Sequence, residues 1–377
     1  MKKTIIFVGA GAIGRGYLPW VIDNHAYNFV FVDINKTLVD GLNKQGEYKT
    51  YRTKGNKLEV RSVKVKKAYS LFDFPIHQYK DASAVFVSVS PRNIISASNC
   101  LKGVRCPVIL CENDPRTVAH VKNNINYDKV YFGVPDVITS NSASPDLLKK
   151  DKLAIITEEG KLFIDEDAGV IKGTINYCSK EELDKQWTAK LYLHNTPHCI
   201  AAYLGAFMGA IYVHEAMAFP QIKKIVTGAM NEMLTALKLR WNIPHPFLDW
   251  YAEKELQRFS NVLLYDPIAR VGREPIRKLD LGGRLVGAAQ ICVSLGFIPQ
   301  NILTGIAGAI LFENERDADR HLNFIRKNLS VNLLLTYVLG LRKGEALDII
   351  MKERLPKIIR QLEQLVEDSR KISIHHE

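Results

Sequence analysis

The sequence predicts an α/β protein in two parts, a domain built on a largely parallel sheet followed by a mainly α-helical domain. In the first 165 residues, short β-branched runs alternate with helical patterns, which is the order of elements that a parallel sheet with crossover helices requires. From about Leu183 onward the hydrophobic period changes from 2 to 3.6, and strand-like runs disappear. A glycine-rich turn directly after the first run favours the same fold class.

Six runs in the first part are predicted to be strands, and an inserted hairpin separates the second run from the third. Residues 47–65 partly alternate polar and apolar side chains, and Gly55 provides a turn, so this segment predicts an antiparallel hairpin. The six predicted strands are 4–8, 29–33, 84–89, 107–111, 129–134 and 153–157.

Amphipathic helices are predicted in the second part. One runs from Ile222 to Leu237, and another follows Pro356 as far as Leu365. The polar stretch 172–186 is the predicted join, so we divide the chain into a sheet domain, 1–182, and a helical domain, 183–377. A cleft between two such domains is the default place for a ligand.

The composition limits the possible partners. The 377 residues are 47% hydrophobic and 24% charged, so the chain can bury one or two large cores and is not disordered. Lys and Arg number 51 against 40 Asp and Glu, and this surplus of 11 favours nucleic acid, a membrane surface or a phosphate-bearing small molecule. The chain has no recognition motif or aromatic-interleaved basic stretch for nucleic acid, so we expect no nucleic-acid partner.

Cysteines and apolar stretches predict a cytoplasmic protein without a membrane partner. The six cysteines form no C-x-x-C pair, and no signal-peptide pattern is present, which favours reduced thiols over disulfides or a zinc ribbon. The apolar stretch 199–213 is too short to cross a bilayer, and 291–312 is interrupted at Pro299. Both are predicted to be buried helices. The sequence does not distinguish a monomer from a small homo-oligomer.

A dinucleotide fingerprint follows the first predicted strand. A tight turn requires the first glycine, the second lets the backbone approach a pyrophosphate, and the third allows the helix to pack closely on the strand. The phosphates would then lie at the helix N-terminus, as in a Rossmann-type domain. The alternative is a structural glycine turn in another α/β protein. The fingerprint consists of Gly9, Ala10, Gly11, Ala12, Ile13 and Gly14.

Asp33 ends the second predicted strand and indicates which dinucleotide is bound. Its carboxylate would bind the two adenosine-ribose hydroxyls and repel an added 2′-phosphate, which favours NAD over NADP, although Lys36 lies close by. Alternatively, Asp33 caps a helix that begins near Thr37.

A polar cluster at 190–198 precedes a 15-residue apolar run. If this segment is α-helical, Asn195 and His198 point the same way, and Lys190 lies about 80° from His198 around the axis. Pro197 indicates instead that a regular helix begins there, with Asn195 or Thr196 as its cap. In that case the spacing does not fix where Lys190 lies.

Two chemistries fit this cluster. His194, His198 and Cys199 would bind a metal, because two histidines four apart on a helix can share an ion, but no further ligand has suitable spacing. In the other chemistry, Lys190 is a general base for alcohol oxidation and Asn195 donates a hydrogen bond to the oxygen. A free lysine has a pKa near 10.4, so burial or a positive nicotinamide ring would have to lower it. The plain structural alternatives are a solvated Lys190 and a His198 satisfied in the core.

The pattern Lys-x4-Asn-x2-His after an N-terminal G-x-G-x-x-G resembles that of the polyol-specific long-chain dehydrogenases, the mannitol dehydrogenase family. The likeness covers most of the chain, through FVGAGAIGRG, FVDIN, CEN at 111–113, KLYLHNTPH at 190–198, AYLG, RFSN at 258–261 and RVGREPIRKL at 270–279. It implies a metal-independent, NAD-dependent oxidoreductase. Lys190 would be the base, Asn195 and Asn113 would hold the reacting oxygen, and His198 would orient the substrate.

Asn113 also has a position that suits a ligand. It lies just past the carboxyl end of the predicted strand 107–111, where open α/β sheets place their ligands. Its alternative role is that of a turn residue before Pro115.

An arginine-rich segment, 258–284, is predicted to recognise phosphate. Guanidinium groups suit the oxygens of phosphate, although several of these cations are expected to pair with Asp266, Glu274 and Asp280. Within the resembled family, such a stretch implies a polyol phosphate that is interconverted with a ketose phosphate. Alternatives are a uronate or unphosphorylated-polyol oxidoreductase and a non-catalytic nucleotide-binding protein. The six cations are Arg258, Arg270, Arg273, Arg277, Lys278 and Arg284, of which Arg270, Arg273 and Lys278 are the predicted phosphate ligands.

Overall fold

The computed structural model describes residues 2–55, 57–140, 143–313, 321–330 and 333–374. Contacts divide the chain into two compact units. The first contains Met1–Trp187 and Leu263–Tyr265, and the second contains Thr188–Val262 and Asp266–Glu377. The predicted fold class is confirmed, because the first unit is a largely parallel α/β structure and the second is helical.

The first unit contains an eight-stranded sheet and a three-stranded sheet. All six predicted strands are present, and β5, β10 and β11 are strands that the sequence pattern did not reveal. The strands are β1 (Lys3–Val8), β2 (Tyr27–Asp33), β3 (Glu47–Lys54), β4 (Lys57–Lys64), β5 (Lys67–Ser70), β6 (Ala84–Val87), β7 (Val108–Leu110), β8 (Val130–Asp136), β9 (Ile155–Glu158), β10 (Lys161–Asp165) and β11 (Ile175–Cys178).

The large sheet has the order β11-β10-β8-β7-β6-β1-β2-β5, and only the β10–β8 pair is antiparallel. Aromatic side chains such as Phe7, Phe31 and Phe86 fill one face, and aliphatic side chains such as Ile6 and Val85 fill the other. Both faces are therefore buried, as expected for a sheet covered on both sides by helices. The helices of this unit are α1 (Leu18–Val21), α2 (Lys36–Gln45), α3 (Ile94–Ser98), α4 (Thr117–Ile125), α5 (Pro145–Lys150) and most of α6 (Lys180–Ala189).

The small sheet corrects one prediction. The hairpin is confirmed, since β3 and β4 are antiparallel with Gly55 at φ 56°, and Asn56 of the predicted turn lies outside the described residues. The run 153–157, predicted as a strand of the parallel sheet, instead forms β9 and pairs with β3. Burial explains the error, because Ile155 and Ile156 are both buried and an apolar run does not specify its partner strand.

The second unit is built around α7, which is buried over most of its length. Small residues let neighbouring helices approach it closely: a Cβ on Gly205 would lie 2.4 Å from Ala216 Cβ, and one on Gly305 would lie 2.3 Å from Ile200 Cγ1. Its helices are α7 (Thr196–Phe207), α8 (Val213–Ala218), α9 (Pro220–Arg240), α10 (His245–Phe259), α11 (Ile268–Val271), α12 (Pro275–Leu279), α13 (Val286–Ser294), α14 (Gln300–Leu311), α15 (His321–Asn328) and α16 (Ala346–Ile374).

The predicted helix from Ile222 to Leu237 is confirmed as part of α9. The apolar stretch 199–213 is helical as far as Phe207, where α7 ends, and the stretch 291–312 contains the end of α13 and the whole of α14. The last helix begins at Ala346 rather than behind Pro356, which lies inside it. Within the described ranges, no helix combines the length and the apolar character that crossing a membrane requires.

Candidate active site

The glycine loop after β1 has the geometry that a dinucleotide requires. Gly9 has φ +91°, and a Cβ there would lie 2.4 Å from Ser88 O, while a Cβ on Gly14 would lie 2.0 Å from Gly9 O. Glycine is therefore required at positions 9 and 14 because any side chain there would collide with neighbouring main-chain atoms. A Cβ on Gly11 would meet no described atom within 4 Å, so Gly11 faces open space. The pyrophosphate of a dinucleotide can approach the main chain at this position, so the residues present fit NAD.

The fingerprint does not open a regular α-helix as expected. Ala12–Tyr17, which includes Ile13, forms a π-helical turn, and only the short α1 follows it. The widened turn still leaves backbone N–H groups of a helix start beside the glycine loop.

Asp33 is bound to the glycine loop. Its Oδ2 accepts a hydrogen bond from the Ala10 N–H at 2.7 Å, and its Oδ1 accepts one from the Asn35 N–H at 2.8 Å. Asn35 is the residue that caps α2, since its side chain accepts from the Leu38 N–H at 3.1 Å. The alternative role of Asp33 as a helix cap is therefore wrong, and its role toward the ribose stays a prediction.

Arg15 is a buried member of this site that the sequence reasoning missed. Its Nε donates to Ala10 O at 3.1 Å, and Nη1 donates to Leu153 O, so the guanidinium links the glycine loop to the segment before β9. Burial lowers the pKa of Arg15, whereas Tyr48 and two nearby aspartates oppose that shift. One feature of the sequence could have revealed this role. Arg15 is a charged residue directly after the last fingerprint glycine, in a segment predicted to pack on the sheet.

Lys190 and Asn195 lie at the two ends of a second π-helical turn, Lys190–Asn195, which continues α6 into α7. The i→i+5 bonding of a π turn places residues five apart on one side of the helix. In an α-helix, the same spacing would leave them about 140° apart. The plain α-helix is therefore wrong for this segment. The other prediction is confirmed, because a regular α-helix begins at Thr196 with Asn195 at its N-cap position, although the Asn195 side chain forms no capping hydrogen bond. Pro197, which lacks a backbone N–H, follows directly where π spacing changes to α spacing.

Both side chains are buried, with 5% of each residue exposed. The predicted alternative of a solvated Lys190 is therefore wrong. Asn195 Nδ2 has no hydrogen-bond partner among the residues that the structure describes. Buried amide groups are almost always paired, and an unpaired one costs free energy, so this donor is suited to a ligand oxygen.

His198 is held in place by a carboxylate. Its Nε2 lies 2.9 Å from Asp266 Oδ2, and its ring stacks on Phe259 with centroids 5.0 Å apart. Asp266 Oδ1 in turn accepts from Arg270 Nη2 at 2.5 Å. Burial lowers the pKa of His198, while Asp266 opposes this; burial would raise the pKa of Asp266, but Arg270 and His198 hold it below its usual value. The imidazole is therefore neutral at pH 7, and its Nε2–H donates to an ionised carboxylate.

His194 forms a second histidine–carboxylate pair. Its Nδ1 lies 2.5 Å from Glu255 Oε2, and Glu255 also binds Arg258 and Lys254. Burial is the main cause that lowers the pKa of His194 to about 4. Cys199, the third residue of the metal alternative, donates its Sγ–H to Thr196 O at 3.2 Å. Across the described ranges, no three His, Cys, Asp or Glu side chains are grouped as metal ligands.

The arginine-rich segment combines ion pairs with buried cations. The expected pairs Arg270–Asp266 and Arg277–Glu274 are confirmed, whereas Asp280 forms no ion pair with a described residue. Among the predicted phosphate ligands, Arg270 forms an ion pair with Asp266.

The other two predicted phosphate ligands differ in exposure. Arg273 is exposed. Lys278 is buried, and its Nζ donates to the carbonyls of Val271 and Arg273. The phosphate role of all three, including Arg270, stays a prediction.

Asn113 lies in the first unit, three residues beyond the end of β7, and is exposed. Lys190, Asn195 and His198 belong to the second unit. The structure brings these three together on one helical segment, and the shared role of Asn113 stays a prediction.

Comparisons with known proteins agree with this fold and show the family. A family model described as the mannitol dehydrogenase C-terminal domain matches residues 182–329. Mannitol-1-phosphate 5-dehydrogenase of Caldanaerobacter subterraneus subsp. tengcongensis is 32% identical, covering 84% of this chain and 88% of its own length. The enzyme of the same name from Thermoanaerobacter pseudethanolicus is 30% identical, covering 98% of this chain and 100% of its own.

Solved structures show the same fold at low sequence identity. Pseudomonas fluorescens mannitol 2-dehydrogenase, in a ternary complex with NAD and D-mannitol, superposes with a TM-score of 0.74 at 14% identity, covering 100% of this chain and 95% of that one. A D-sorbitol dehydrogenase in substrate-free form superposes with a TM-score of 0.69 at 14% identity, covering 98% and 95%.

The parallel sheet with its glycine loop and the helical unit with its buried lysine and asparagine define the class of a dinucleotide-dependent dehydrogenase. The chain belongs to the mannitol dehydrogenase family, the polyol-specific long-chain dehydrogenases.

Proposed function

We propose that this protein is an NAD-dependent oxidoreductase that interconverts a polyol phosphate and a ketose phosphate, namely D-mannitol 1-phosphate and D-fructose 6-phosphate. The observation that carries the proposal is the buried Asn195 Nδ2, which has no partner among the described residues and lies one π turn from the buried Lys190. An unpaired buried donor suits a substrate oxygen on which negative charge develops. Relatives named mannitol-1-phosphate 5-dehydrogenase, at 32% and 30% identity, support the choice of substrate.

The chemistry is divided among the residues of the second unit. Oxidation removes a proton from the hydroxyl and a hydride from the same carbon. Lys190 Nζ accepts the hydroxyl proton and returns it in the reverse reaction, and Asn195 Nδ2 donates a hydrogen bond to the oxygen throughout. His198, fixed by Asp266, orients the substrate. Asn113 is proposed as a second amide donor to the same oxygen.

The glycine loop, 9–14, and Asp33 would hold NAD, which supplies the hydride acceptor when it is bound. The open space at Gly11 supports the close approach of a pyrophosphate to the backbone. The negative charge of Asp33 beside the loop supports NAD over NADP, because it repels a 2′-phosphate. Arg270, Arg273 and Lys278 are the proposed cationic surroundings of the substrate phosphate, and no step of the scheme uses a metal ion.

A substrate panel tests this proposal. Purified protein is incubated with NAD or NADP and with polyol phosphates, unphosphorylated polyols and sugar acids, and the absorbance of reduced nicotinamide is followed. We expect turnover of mannitol 1-phosphate with NAD, and far less with mannitol or with a hexuronate. Preferred turnover of an unphosphorylated polyol or a uronate would replace the substrate assignment. Binding of NAD without turnover of any of these compounds would contradict the enzymatic function.

A further inference from the structure

Arg284 is a buried cation without a counter-ion among the described residues. Only 9% of the residue is exposed, and its guanidinium forms no hydrogen bond or ion pair with any residue that the structure describes. The neighbouring basic side chains include Arg277 and Lys278. The carboxylate in the neighbourhood belongs to Glu274, and it pairs with Arg277 Nε at 2.8 Å. Arg284 therefore carries a positive charge that the described part of the protein does not neutralise.

Taking a charge out of water without a partner is strongly unfavourable. Natural proteins bury charged groups mainly where a ligand or another ion neutralises the charge. Burial, followed by Arg277, lowers the pKa of Arg284 to about 10, so the guanidinium is still charged at neutral pH. Lys278 Nζ donates to two main-chain carbonyls, which fixes this side chain beside Arg284. Burial, followed by Arg284, lowers the pKa of Lys278 well below its usual value.

The backbone of Arg284 is held rigidly beside the proposed catalytic residues. The Gly283 N–H donates to Asp280 O at 2.7 Å, and the Leu285 N–H donates to Lys278 O at 3.1 Å. Thr196, which directly follows Asn195, places its Oγ1 2.6 Å from Arg284 O. The loop between α12 and α13 thus fixes Arg284 next to the start of α7, where the amide of Asn195 is held.

We propose that Arg284, with Lys278 beside it, binds the phosphate of the substrate and is the residue that distinguishes a phosphorylated polyol from an unphosphorylated one. This inference rests on the function proposed above. It adds Arg284 to the three phosphate-binding residues that the sequence predicted. A guanidinium binds two phosphate oxygens at once, and a phosphate monoester is close to a dianion at neutral pH, so it matches an uncompensated cluster better than a single carboxylate does.

A binding experiment tests the anion site without requiring turnover. Thermal unfolding of the full chain is measured with saturating NAD, to cover the glycine loop, over increasing inorganic phosphate against chloride at equal ionic strength. Wild type and the exposed control variant Arg360→Met should be stabilised by phosphate, whereas Arg284→Met should not. Without phosphate, Arg284→Met should unfold at the same or a higher temperature, because a buried unpaired charge has been removed. An equal phosphate effect in wild type and Arg284→Met, or no effect in wild type, would overturn the proposal.

A kinetic experiment identifies the anion. Arg284→Met should lower kcat/KM for the polyol phosphate at least about 30-fold, mainly through KM, and should leave the slow turnover of an unphosphorylated polyol unchanged. Arg284→Lys, which keeps the charge, should recover part of the loss. A loss confined to a hexuronate would show that the group binds a carboxylate and would overturn the assignment to phosphate. If wild type turns over no polyol phosphate, the proposed function fails, and the phosphate titration still decides whether Arg284 forms an anion site.

Discussion

Lys190 and Asn195 lie one π-helical turn apart, so a lysine and an amide five residues apart in sequence share one side of a buried helix. A single-turn π segment is less stable than the α-helix around it, and such segments are frequent at functional sites. Here the turn has a specific consequence. It aligns Lys190, the proposed proton acceptor, with a hydrogen-bond donor that has no partner among the described residues.

Lys190→Met should abolish turnover without preventing cofactor binding. The substitution removes the proposed general base while preserving an unbranched apolar stem, and loss of a general base costs about 10²- to 10⁴-fold in kcat. Fluorescence titration with reduced NAD should give an affinity within about twofold of wild type, and an exposed lysine variant on α9, Lys223→Met, serves as the control. Full activity of Lys190→Met would remove the lysine from the mechanism.

Asn195→Ala should lower kcat/KM by about 10²- to 10³-fold, the usual cost of removing one donor from a developing oxyanion. Because Nδ2 has no partner among the described residues, the variant should lose little or no free energy of unfolding. Urea unfolding and steady-state kinetics on the same preparation separate the two effects. A large loss of stability with unaltered kcat/KM would show that the amide is structural.

Asp266→Asn should disturb both the orientation of His198 and the folding free energy. The amide keeps an acceptor for one neighbour but removes the negative charge that Arg270 requires, and breaking a buried pair of this kind costs about 3 kcal/mol. We expect a raised KM for the substrate, measured by initial rates, and a lower urea midpoint. Since the folded-state pKa of Asp266 lies below its unfolded value, its contribution is present above about pH 4 and is lost below it. Asp266→Asn should therefore flatten the acid limb of the stability curve.

Asp33→Asn should weaken the preference for NAD over NADP. The asparagine keeps an oxygen for the Ala10 N–H but removes the charge that repels a 2′-phosphate. The ratio of kcat/KM for the two cofactors should shift toward NADP by at least about tenfold, or 1.4 kcal/mol. Asp40→Asn, on the exposed side of α2, is the control and should leave the ratio unchanged. An unchanged ratio in Asp33→Asn would place cofactor selection elsewhere.

The burial of His194 should make the fold sensitive to acid, although Glu255 opposes part of this effect. The pKa of His194 is about 4 in the folded chain and near 6.5 in the unfolded chain, so the unfolded state binds more protons between these values. The free energy of unfolding should therefore fall as the pH drops from about 6.5 toward 4. His194→Gln should reduce this slope in urea titrations, and the exposed control His25→Gln should not. Parallel slopes for all three proteins would contradict this account.

The sequence by itself determined the features that depend on local pattern. Alternation and period located the six strands, the hairpin and the helices α9 and α16, because periodicity records which face of an element is buried. The glycine positions were equally readable, since only glycine tolerates the φ of Gly9 and the contact that a Cβ on Gly14 would make with Gly9 O. The polar residues before α7 were conspicuous because buried helices seldom begin with a lysine and two histidines.

Only the tertiary structure decided what each buried face contacts. β9 joined the hairpin instead of the parallel sheet, and His194 and His198 found carboxylates 61 and 68 residues away. The π spacing that aligns Lys190 with Asn195 and the isolation of the Arg284 charge are equally invisible in the pattern. The reason is physical. Hydrophobic period fixes the side of an element that leaves water, whereas the partner on that side depends on packing and charge compensation between segments that are distant in sequence.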